Sequence, residues 1–419
     1  MPKHSRPKGT RDFIPPESKQ KLLIESTFRQ LAYLYGYQEV VTPTFEHTEV
    51  FVKASGASSD IVTKEMYTFT DRAERSLTLK PEGTPGVVRA VLENRLKIPC
   101  RLFYIAPCFR YNRPQKGRYR EFYQLGIEAI GEASPLVDAE VVQFGVKFFE
   151  HLGVAECSVK VNSIGCRECR PEFRQTLVTF LEQKKHSLCL DCHERLKLSP
   201  LRVFDCKKET CQMLLAGAPV PRKYLCPQCQ AHFAQFTELL SRTGITFEID
   251  DRLVRGLDYY NRTTFEFVSP VLGAQNSLGG GGRYDYLFEE FGGLKTPAIG
   301  LAIGLERTLL AMPAKTAEHN RRNFVFLIWT GEKELTNAQN LLAQLRAHGI
   351  PCQMSYDTPK LKRQLHLADI TGATCALIVG ADELQRGTYA LKNLLTGEQI
   401  EVPAKELFFR LKLALNLNQ

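Results

Sequence analysis

The sequence has no long apolar run. Nothing in it approaches the roughly 18 uninterrupted apolar residues of a helical membrane span. The opening stretch MPKHSRPKGTRDFIPPES is polar, broken by proline, and without the apolar segment of an export signal. A cytoplasmic location is therefore the expectation. Internal repeats and low-complexity tracts are also missing. An excess of one charge is nearly missing too. A net charge of +9 over 419 residues argues only weakly for a polyanionic partner, because scattered Lys and Arg also serve as ordinary solubilising surface. What is present is ample apolar content, 43%, and a length beyond what one hydrophobic core usually organises, so two or three domains are expected.

Without an export signal, the 13 cysteines point to reduced thiols used for metal ligation, catalysis or burial, not to a disulfide framework. Cys100, Cys108, Cys157, Cys352 and Cys375 are solitary in apolar surroundings and read as core filler. The other eight form close pairs, Cys166/Cys169, Cys189/Cys192, Cys206/Cys211 and Cys226/Cys229. Three pairs have the CxxC spacing that lets two thiolates take one edge of a tetrahedron around Zn²⁺, and eight sulfurs could complete two Cys₄ sites. Which pairs combine is open, and structural thiols without metal are the plain alternative. A site of four thiolates would be closed and structural, with no position free for catalysis.

Periodicity supplies the framework. Leu22, Leu23, Phe28, Leu31 and Leu34 predict a helix over residues 17–35 closed by Gly36, and a strand follows at 38–41, stopped by Pro43. Short β-rich runs (LTLK, RLFYIAPCFRY, EFYQLGIEAIG) and a helix over 138–152 suggest an antiparallel sheet flanked by helices. The Cys-paired stretch carries a helix at 171–184 and looks inserted, since β-type sequence resumes at Thr246 and at 263–268. SLGGGGRYDYL reads as a Gly-rich turn, and PAIGLAIGLERTLLAM as a strand running into a helix near Gly304. Residues 313–323 suit a linker. Beyond it, FVFLIW, a helix over 332–348, PCQMSY, a helix over 360–371, CALIVG and a final helix from Ala404 alternate as in a small α/β domain.

The densest chemical signal is RLFYIAPCFRYNRPQKGRYREFYQLGIE, residues 101–128. Its loop holds Arg110, Arg113, Lys116, Arg118 and Arg120 with no acid, interleaved with Tyr111 and Tyr119. Arginine forks suit phosphate oxygens, and aromatic rings stack on bases. A solvated basic loop has the same composition, so the residues alone leave both readings open.

Order along the chain adds more. GYQEVVTP (36–43), this FR-bearing hairpin and GLAIGLER (300–307) resemble motifs 1, 2 and 3 of class II aminoacyl-tRNA synthetases. LVRGLDYYNRTTFEF (253–267) and GGGGRYDYL (279–287) are similar to the two signature motifs of histidyl-tRNA synthetases, and PEGT (81–84) and KGTRDFIP (8–15) also match. The resemblance spans nearly the whole chain. It implies a class II catalytic domain with an antiparallel sheet core (1–165 and 241–322), a Cys-rich insertion (166–240) and a C-terminal α/β anticodon-binding domain (323–419). The implied reaction is ATP-dependent ligation of L-histidine to tRNA(His) through a histidyl-adenylate, with Mg²⁺ accompanying ATP. A homodimer is implied because motif 1 is the family's dimer element. The alternative is a non-catalytic paralogue acting as the regulatory subunit of ATP phosphoribosyltransferase, which shares the catalytic fold.

The chemistry requires particular residue types. An α-carboxylate is ionised at neutral pH, so its attack on the α-phosphorus of ATP needs alignment and charge stabilisation, not a general base. By resemblance, Arg110 and Arg307 bind the nucleotide phosphates, and Arg255 is the distinctive cation at the α-phosphate and the substrate carboxylate. Histidine needs an anion for its ammonium group, and both a donor and an acceptor for its imidazole. The matching positions are Glu82, Gly83, Thr84, Gln124 and Glu128, with Arg255, Tyr259 and Tyr260 closing on the substrate and Gly279 to Gly282 letting backbone approach. Arg113, Gln115, Lys116 and Arg118 are assigned by the same resemblance to the tRNA acceptor end. Asn112 departs from the pattern, which usually has an acid there. The C-terminal stretch 323–419 holds 10 Lys/Arg and 9 Asp/Glu, which excludes a uniformly basic surface, so any base recognition there is local.

Overall fold

The computed structural model describes residues 4–56, 59–273, 276–313, 322–356 and 359–417. The chain forms two compact units, Met1–Ala314 and Lys315–Gln419. Most of the expected linker lies outside the described residues.

The first unit is built on an eight-stranded sheet. Its order is Gln38–Glu39, Cys100–Phe109, Glu121–Ile130, Ala298–Gly304, Ser277–Arg283, Asn261–Val268, Ser158–Ser163 and Phe247–Ile249. Pairing is antiparallel except at the two edges, where the short outer strands run parallel to their neighbours. The two ten-residue arms Cys100–Phe109 and Glu121–Ile130 make the expected hairpin, in register from Cys100 opposite Ile130 to Phe109 opposite Glu121. Helices Glu17–Leu34 and Pro135–His151 cover one face through Phe28, Phe103, Phe144, Phe148, Phe265 and Phe267. The opposite face carries an aromatic cluster of Tyr104, Tyr259, Tyr260 and Tyr284 beside helix Thr84–Glu93.

Three expectations need correction. The buried stripe of helix Glu17–Leu34 is Ile24, Phe28, Leu31 and Ala32, whereas Leu22 and Leu34 are 63% and 80% exposed. The stripe is rotated because the helix packs on the sheet through Ile24 and Phe28 and leaves its other apolar residues uncovered. The Gly-rich segment is a central strand, not a turn. Glycine is a poor strand former in isolation, but a Cβ at Gly281 would collide with the carbonyl of Gly300, so close strand approach selects it here. The first strand is also shorter than the sequence suggests, two residues instead of four.

The Cys-rich stretch folds as helices Arg170–Glu182, Leu190–Leu198, Glu209–Leu214 and Pro227–Arg242 joined by short 3₁₀ turns. The last helix returns to the sheet and gives Phe233, Phe236 and Leu240 to the main core. The second unit has a five-stranded mixed sheet in the order Cys352–Met354, Arg322–Trp329, Ala373–Val379, Thr388–Asn393 and Gln399–Pro403. The first three strands are parallel, as alternating strands and helices predict; the closing hairpin 388–403 and the short helix Ala381–Arg386 were not foreseen.

Candidate active site

The tyrosine-rich face of the large sheet opens into a cavity of about 770 Å³, within the range of small-molecule sites. Sheet topology assembles it from distant segments. The hairpin arms, the Gly-rich strand and the Ala298–Gly304 strand form the floor, and residues 253–260 and part of the Cys-rich stretch form walls.

Three of the cations that line it are those expected from the sequence. Arg110 donates Nε to the Pro81 carbonyl at 2.8 Å and lies over the Phe122 ring. Arg255 donates to Glu266 Oε1 at 2.8 Å; burial disfavours its charge, but Glu266 together with Tyr260, Asp205 and Tyr259 outweighs that and holds its pKa above the ordinary value. Arg307 sits in the first turn of helix Leu305–Ala311 and donates to the carbonyls of Gly117 at 3.1 Å and Ser277 at 2.6 Å. Burial, reinforced by Arg118, lowers its pKa. Strong cations held in a partly dry cavity lower the energy of an anion entering it.

Two carboxylates are buried beside them. Glu82 accepts from Ser55 Oγ at 2.9 Å and from the Tyr259 hydroxyl at 2.8 Å; burial raises its pKa, against the pull of Arg110. Glu128 lies behind the cavity wall, accepting from Thr84 Oγ1 at 2.6 Å and the Tyr284 hydroxyl at 2.7 Å. Burial pushes its pKa up to about 8 even though both hydroxyls favour the carboxylate. Gln124 Oε1 accepts from the Gly83 N–H at 3.1 Å, tying the loop before helix Thr84–Glu93 to the hairpin. Tyr259 and Tyr260 lie with ring centroids 4.6 Å apart on the cavity wall. A Cβ on Gly83 or Gly126 would run into Tyr104, so these glycines admit that ring between two chain segments.

The structure brings together Glu82, Thr84, Arg110, Gln124, Arg255, Tyr259, Tyr260 and Arg307 as cavity lining, with Gly279 and Gly280 on the floor. Gly83 and Glu128 stand just behind it. The four residues expected at an acceptor end divide. Arg118 lines the cavity, as does Asn112, while Gln115 and Lys116 of the four line a separate shallow depression of about 420 Å³ with Arg6, Lys8 and Thr10. Arg113 lines neither. Sequence reasoning missed Ser55, Tyr284 and Glu266, although the last two lie inside the quoted signature segments. It also missed Asp191, Arg195, Arg202, Asp205, Lys207 and Lys208, with which the Cys-rich stretch walls the cavity. Nothing local marks them, because they reach the site only through the fold of that stretch.

The eight paired cysteines assemble as Cys166, Cys169, Cys226 and Cys229, and as Cys189, Cys192, Cys206 and Cys211, with the sulfurs of each set within 4.8 Å of one another. All are free thiols.

Comparison with known proteins completes the description. A family model described as Histidyl-tRNA synthetase matches residues 9–308, and one described as Anticodon binding domain matches residues 314–412. A curated relative from Natranaerobius thermophilus, named histidine–tRNA ligase, is 44% identical over 97% of this chain and 98% of its own. One of the same name from Desulforudis audaxviator is 46% identical over 97% and 98%. Among solved structures, apo histidyl-tRNA synthetase from S. aureus superposes with a TM-score of 0.80 at 33% identity, covering 98% of this chain and 100% of that one. A Bacillus halodurans chain described as an ATP phosphoribosyltransferase regulatory subunit/histidyl-tRNA synthetase shares the fold, with a TM-score of 0.65 at 21% identity over 90% of this chain and 99% of that one.

Proposed function

This chain belongs to the histidyl-tRNA synthetase family and ligates L-histidine to tRNA(His) with ATP, and from that premise we propose how its residues divide the work. The carrying observation is the convergence of Arg110, Arg255 and Arg307 with the buried carboxylate of Glu82 in one cavity. Glu82 takes the substrate ammonium group, with Gln124 and the Thr84 hydroxyl beside it. Arg255 then faces the substrate carboxylate, and Arg110 and Arg307 face the nucleotide phosphates. Carboxylate oxygen attacks the α-phosphorus, pyrophosphate leaves, and the negative charge of the transition state spreads toward three fixed cations. Mg²⁺ enters with ATP and neutralises phosphate charge. A ribose hydroxyl at the tRNA 3′ end next attacks the adenylate carbonyl, and AMP leaves.

Tyr259 and Tyr260 enclose the imidazole. Glu128 fixes the Thr84 and Tyr284 hydroxyls, so that the pocket offers oriented acceptor oxygens to the imidazole N–H. Arg118 and Asn112 meet the incoming acceptor end; Gln115, Lys116 and Arg113 grip its backbone from outside. The segment 323–419 holds the anticodon. A regulatory-subunit reading leaves the paired Arg255 and Glu266 and the C-terminal unit without a task.

Exposed apolar residues support a homodimer: Leu34 and Val41 are 80% and 87% exposed on either side of the parallel edge strand. Among the described residues no helix is long and apolar enough to cross a membrane, and translation places the enzyme in the cytoplasm.

Each Cys₄ set holds one structural Zn²⁺. Four thiolates at 2.3 Å from zinc would stand about 3.8 Å apart. Cys166 Sγ lies 3.6 Å from Cys169 Sγ and 4.0 Å from Cys226 Sγ, and Cys189 Sγ lies 3.9 Å from Cys206 Sγ. A disulfide would need about 2 Å. Backbone N–H groups of Cys226 and Cys189 point at the sulfurs of Cys169 and Cys211, as donors to thiolates do.

ATP–pyrophosphate exchange assayed across the amino acids tests the substrate reading. Histidine alone is expected to support it, and exchange with another amino acid at comparable rate would overturn it.

A further inference from the structure

The segment 253–260 carries Arg255, Tyr259 and Tyr260 and contains no helix or strand before strand Asn261–Val268 begins. Besides the bonds of Tyr259 to Glu82 and Arg255 to Glu266, it is held at two places beside the thiolate clusters. Arg170, which follows Cys169, donates to the Tyr260 carbonyl, and Arg262 exchanges backbone hydrogen bonds with Ile164 and Gly165 next to Cys166. Arg202, four residues before Cys206, donates to the Gly256 carbonyl. The tyrosine-bearing segment is thus suspended between the two thiolate clusters.

We propose that the ion held by Cys189, Cys192, Cys206 and Cys211 positions Arg255 for adenylation, acting through Arg202. The proposal rests on the metal reading given above and extends it from folding to catalysis. The path is short. The 3₁₀ turn Pro200–Asp205 runs directly into the ligand Cys206, and its Arg202 is only 4% exposed. That guanidinium grips Gly256, the residue after Arg255, and ion-pairs with Asp258 at 3.4 Å. Ser199, at the start of the same turn, donates to Asp258 at 3.4 Å. Asp205, adjoining Cys206, lines the same cavity as Arg255. Val254, on the other side of Arg255, packs in the same small core as Cys192, Cys206 and Cys211. Arg195 donates to the Arg202 carbonyl at 3.4 Å and to Asp60 at 3.1 Å, anchoring the turn to the far wall of the cavity.

Within the stretch this geometry is held by a hydrophobic cluster and by Gln212, which donates to the carbonyls of Phe204 and Cys206. Its core is small, and the turn between Leu190–Leu198 and Glu209–Leu214 contains only 3₁₀ structure. Four thiolates drawn onto one ion would fix the end of that turn, and with it Arg202 and Ser199, which touch the Arg255 segment. A misplacement on the order of 1 Å at a catalytic cation costs about 100-fold in rate. Arg202 is therefore a positioning residue: it touches no reacting atom and acts through Gly256 and Asp258.

The test uses full-length protein and four readouts: zinc by elemental analysis, thermal unfolding, the single-turnover rate constant for adenylation, and the amplitude of that turnover. Wild type is expected to carry two zinc ions per chain. Cys211→Ser should retain one and lose roughly tenfold or more in the rate constant, comparable with losing an outer partner of a metal site. Arg202→Ala should retain both ions and show a similar fall in the rate constant at full amplitude. A residue that merely stabilised the fold would lower amplitude, the fraction of active molecules, and leave the rate constant alone. Zinc-free wild-type enzyme would overturn the metal reading and this proposal with it. Two zinc ions together with an unchanged rate constant in Arg202→Ala would overturn the positioning role alone. Should Cys211→Ser fail to fold, Arg202→Ala still decides.

Discussion

Arg283 and Asp138 form a bidentate ion pair with both side chains wholly buried, Nε to Oδ2 at 3.0 Å and the second fork nitrogen to Oδ1 at 2.6 Å. Arg283 ends the Gly-rich strand, Asp138 lies in helix Pro135–His151, and His232 of helix Pro227–Arg242 meets the same carboxylate at 2.8 Å. The remaining guanidinium hydrogens reach the carbonyls of Glu132 and Ser134 and the carboxylate of Asp285. One cation thereby joins the active-site floor to the helix that leads out of the Cys-rich stretch.

Removing one partner of such a pair leaves an unpaired buried charge. Arg283→Ala is expected to destabilise the first unit by about 3–5 kcal/mol, read from urea unfolding, and Arg283→Met to cost less because it fills the same space without a fork to satisfy. Burial raises the Asp138 pKa, but Arg283 and His232 overcome that and leave it below the ordinary carboxylate value. The stability it contributes is present above the unfolded carboxylate pKa and lost as pH falls through the folded one. An Arg283→Ala protein as stable as wild type at neutral pH would show that the pair contributes nothing.

Glu128 behaves in the opposite sense. Its folded pKa is raised to about 8 from an ordinary 4.5 by burial. Its contribution is therefore fully present below about pH 4.5 and declines as pH rises towards 8. Glu128→Gln should flatten that part of the stability profile, and it should weaken histidine by roughly 10- to 100-fold as one of the Thr84 and Tyr284 hydroxyls loses its acceptor. Denaturation at pH 6 and pH 9, with the histidine KM at each, checks both; parallel profiles for variant and wild type would exclude the raised pKa.

Much of the fold is legible in the sequence wherever period and environment agree. The hairpin arms 100–109 and 121–130 and the helix Glu332–Ala347 emerge close to where apolar spacing puts them. The glycine run is illegible as a strand because its reason is tertiary: a Cβ at Gly280 would meet Arg255 and the Phe265 carbonyl. The cysteines announce pairs, but which pairs combine depends on helices that bring residue 226 back to 169 and residue 206 back to 189. Cavity cations such as Arg110 and Arg307 are legible because they sit in motifs, whereas Arg202 and Lys207 carry no local signature.

Arg255→Ala should lower the single-turnover adenylation rate roughly 10²-fold or more, by analogy with losing one preorganised donor to a developing anion, while histidine binding weakens less. Arg255→Lys should recover only part of the loss, since an ammonium cannot reproduce the guanidinium fork between Glu266 and a substrate oxygen. An unchanged rate in the alanine variant would remove Arg255 from the transition state.

Adenylation and charging should separate along the chain. The two units have distinct hydrophobic cores: Phe28, Phe144 and Phe148 among others in the first, Leu327, Leu345 and Leu377 among others in the second. Every group placed around the adenylate lies before residue 314, so a chain ending there should keep histidine-dependent pyrophosphate exchange. Charging is a different demand, because the tRNA 3′ end must be held at the adenylate. Losing residues 315–419 removes a second attachment point whose effective concentration helps deliver that end, so aminoacylation should fall far more than exchange. Arg118 allows an independent check. It is part-exposed, within 3.9 Å of Glu65, and it closes the tip of the basic hairpin by exchanging backbone hydrogen bonds with Gln115. The adjacent Gly117 carbonyl is held by Arg307. Arg118→Ala should therefore leave the fold intact and depress transfer to the acceptor end, in the truncated chain as in the full one. Equal losses of exchange and charging in a truncation that circular dichroism shows to be folded would mean that the C-terminal unit supports the catalytic unit's structure and not the delivery of tRNA.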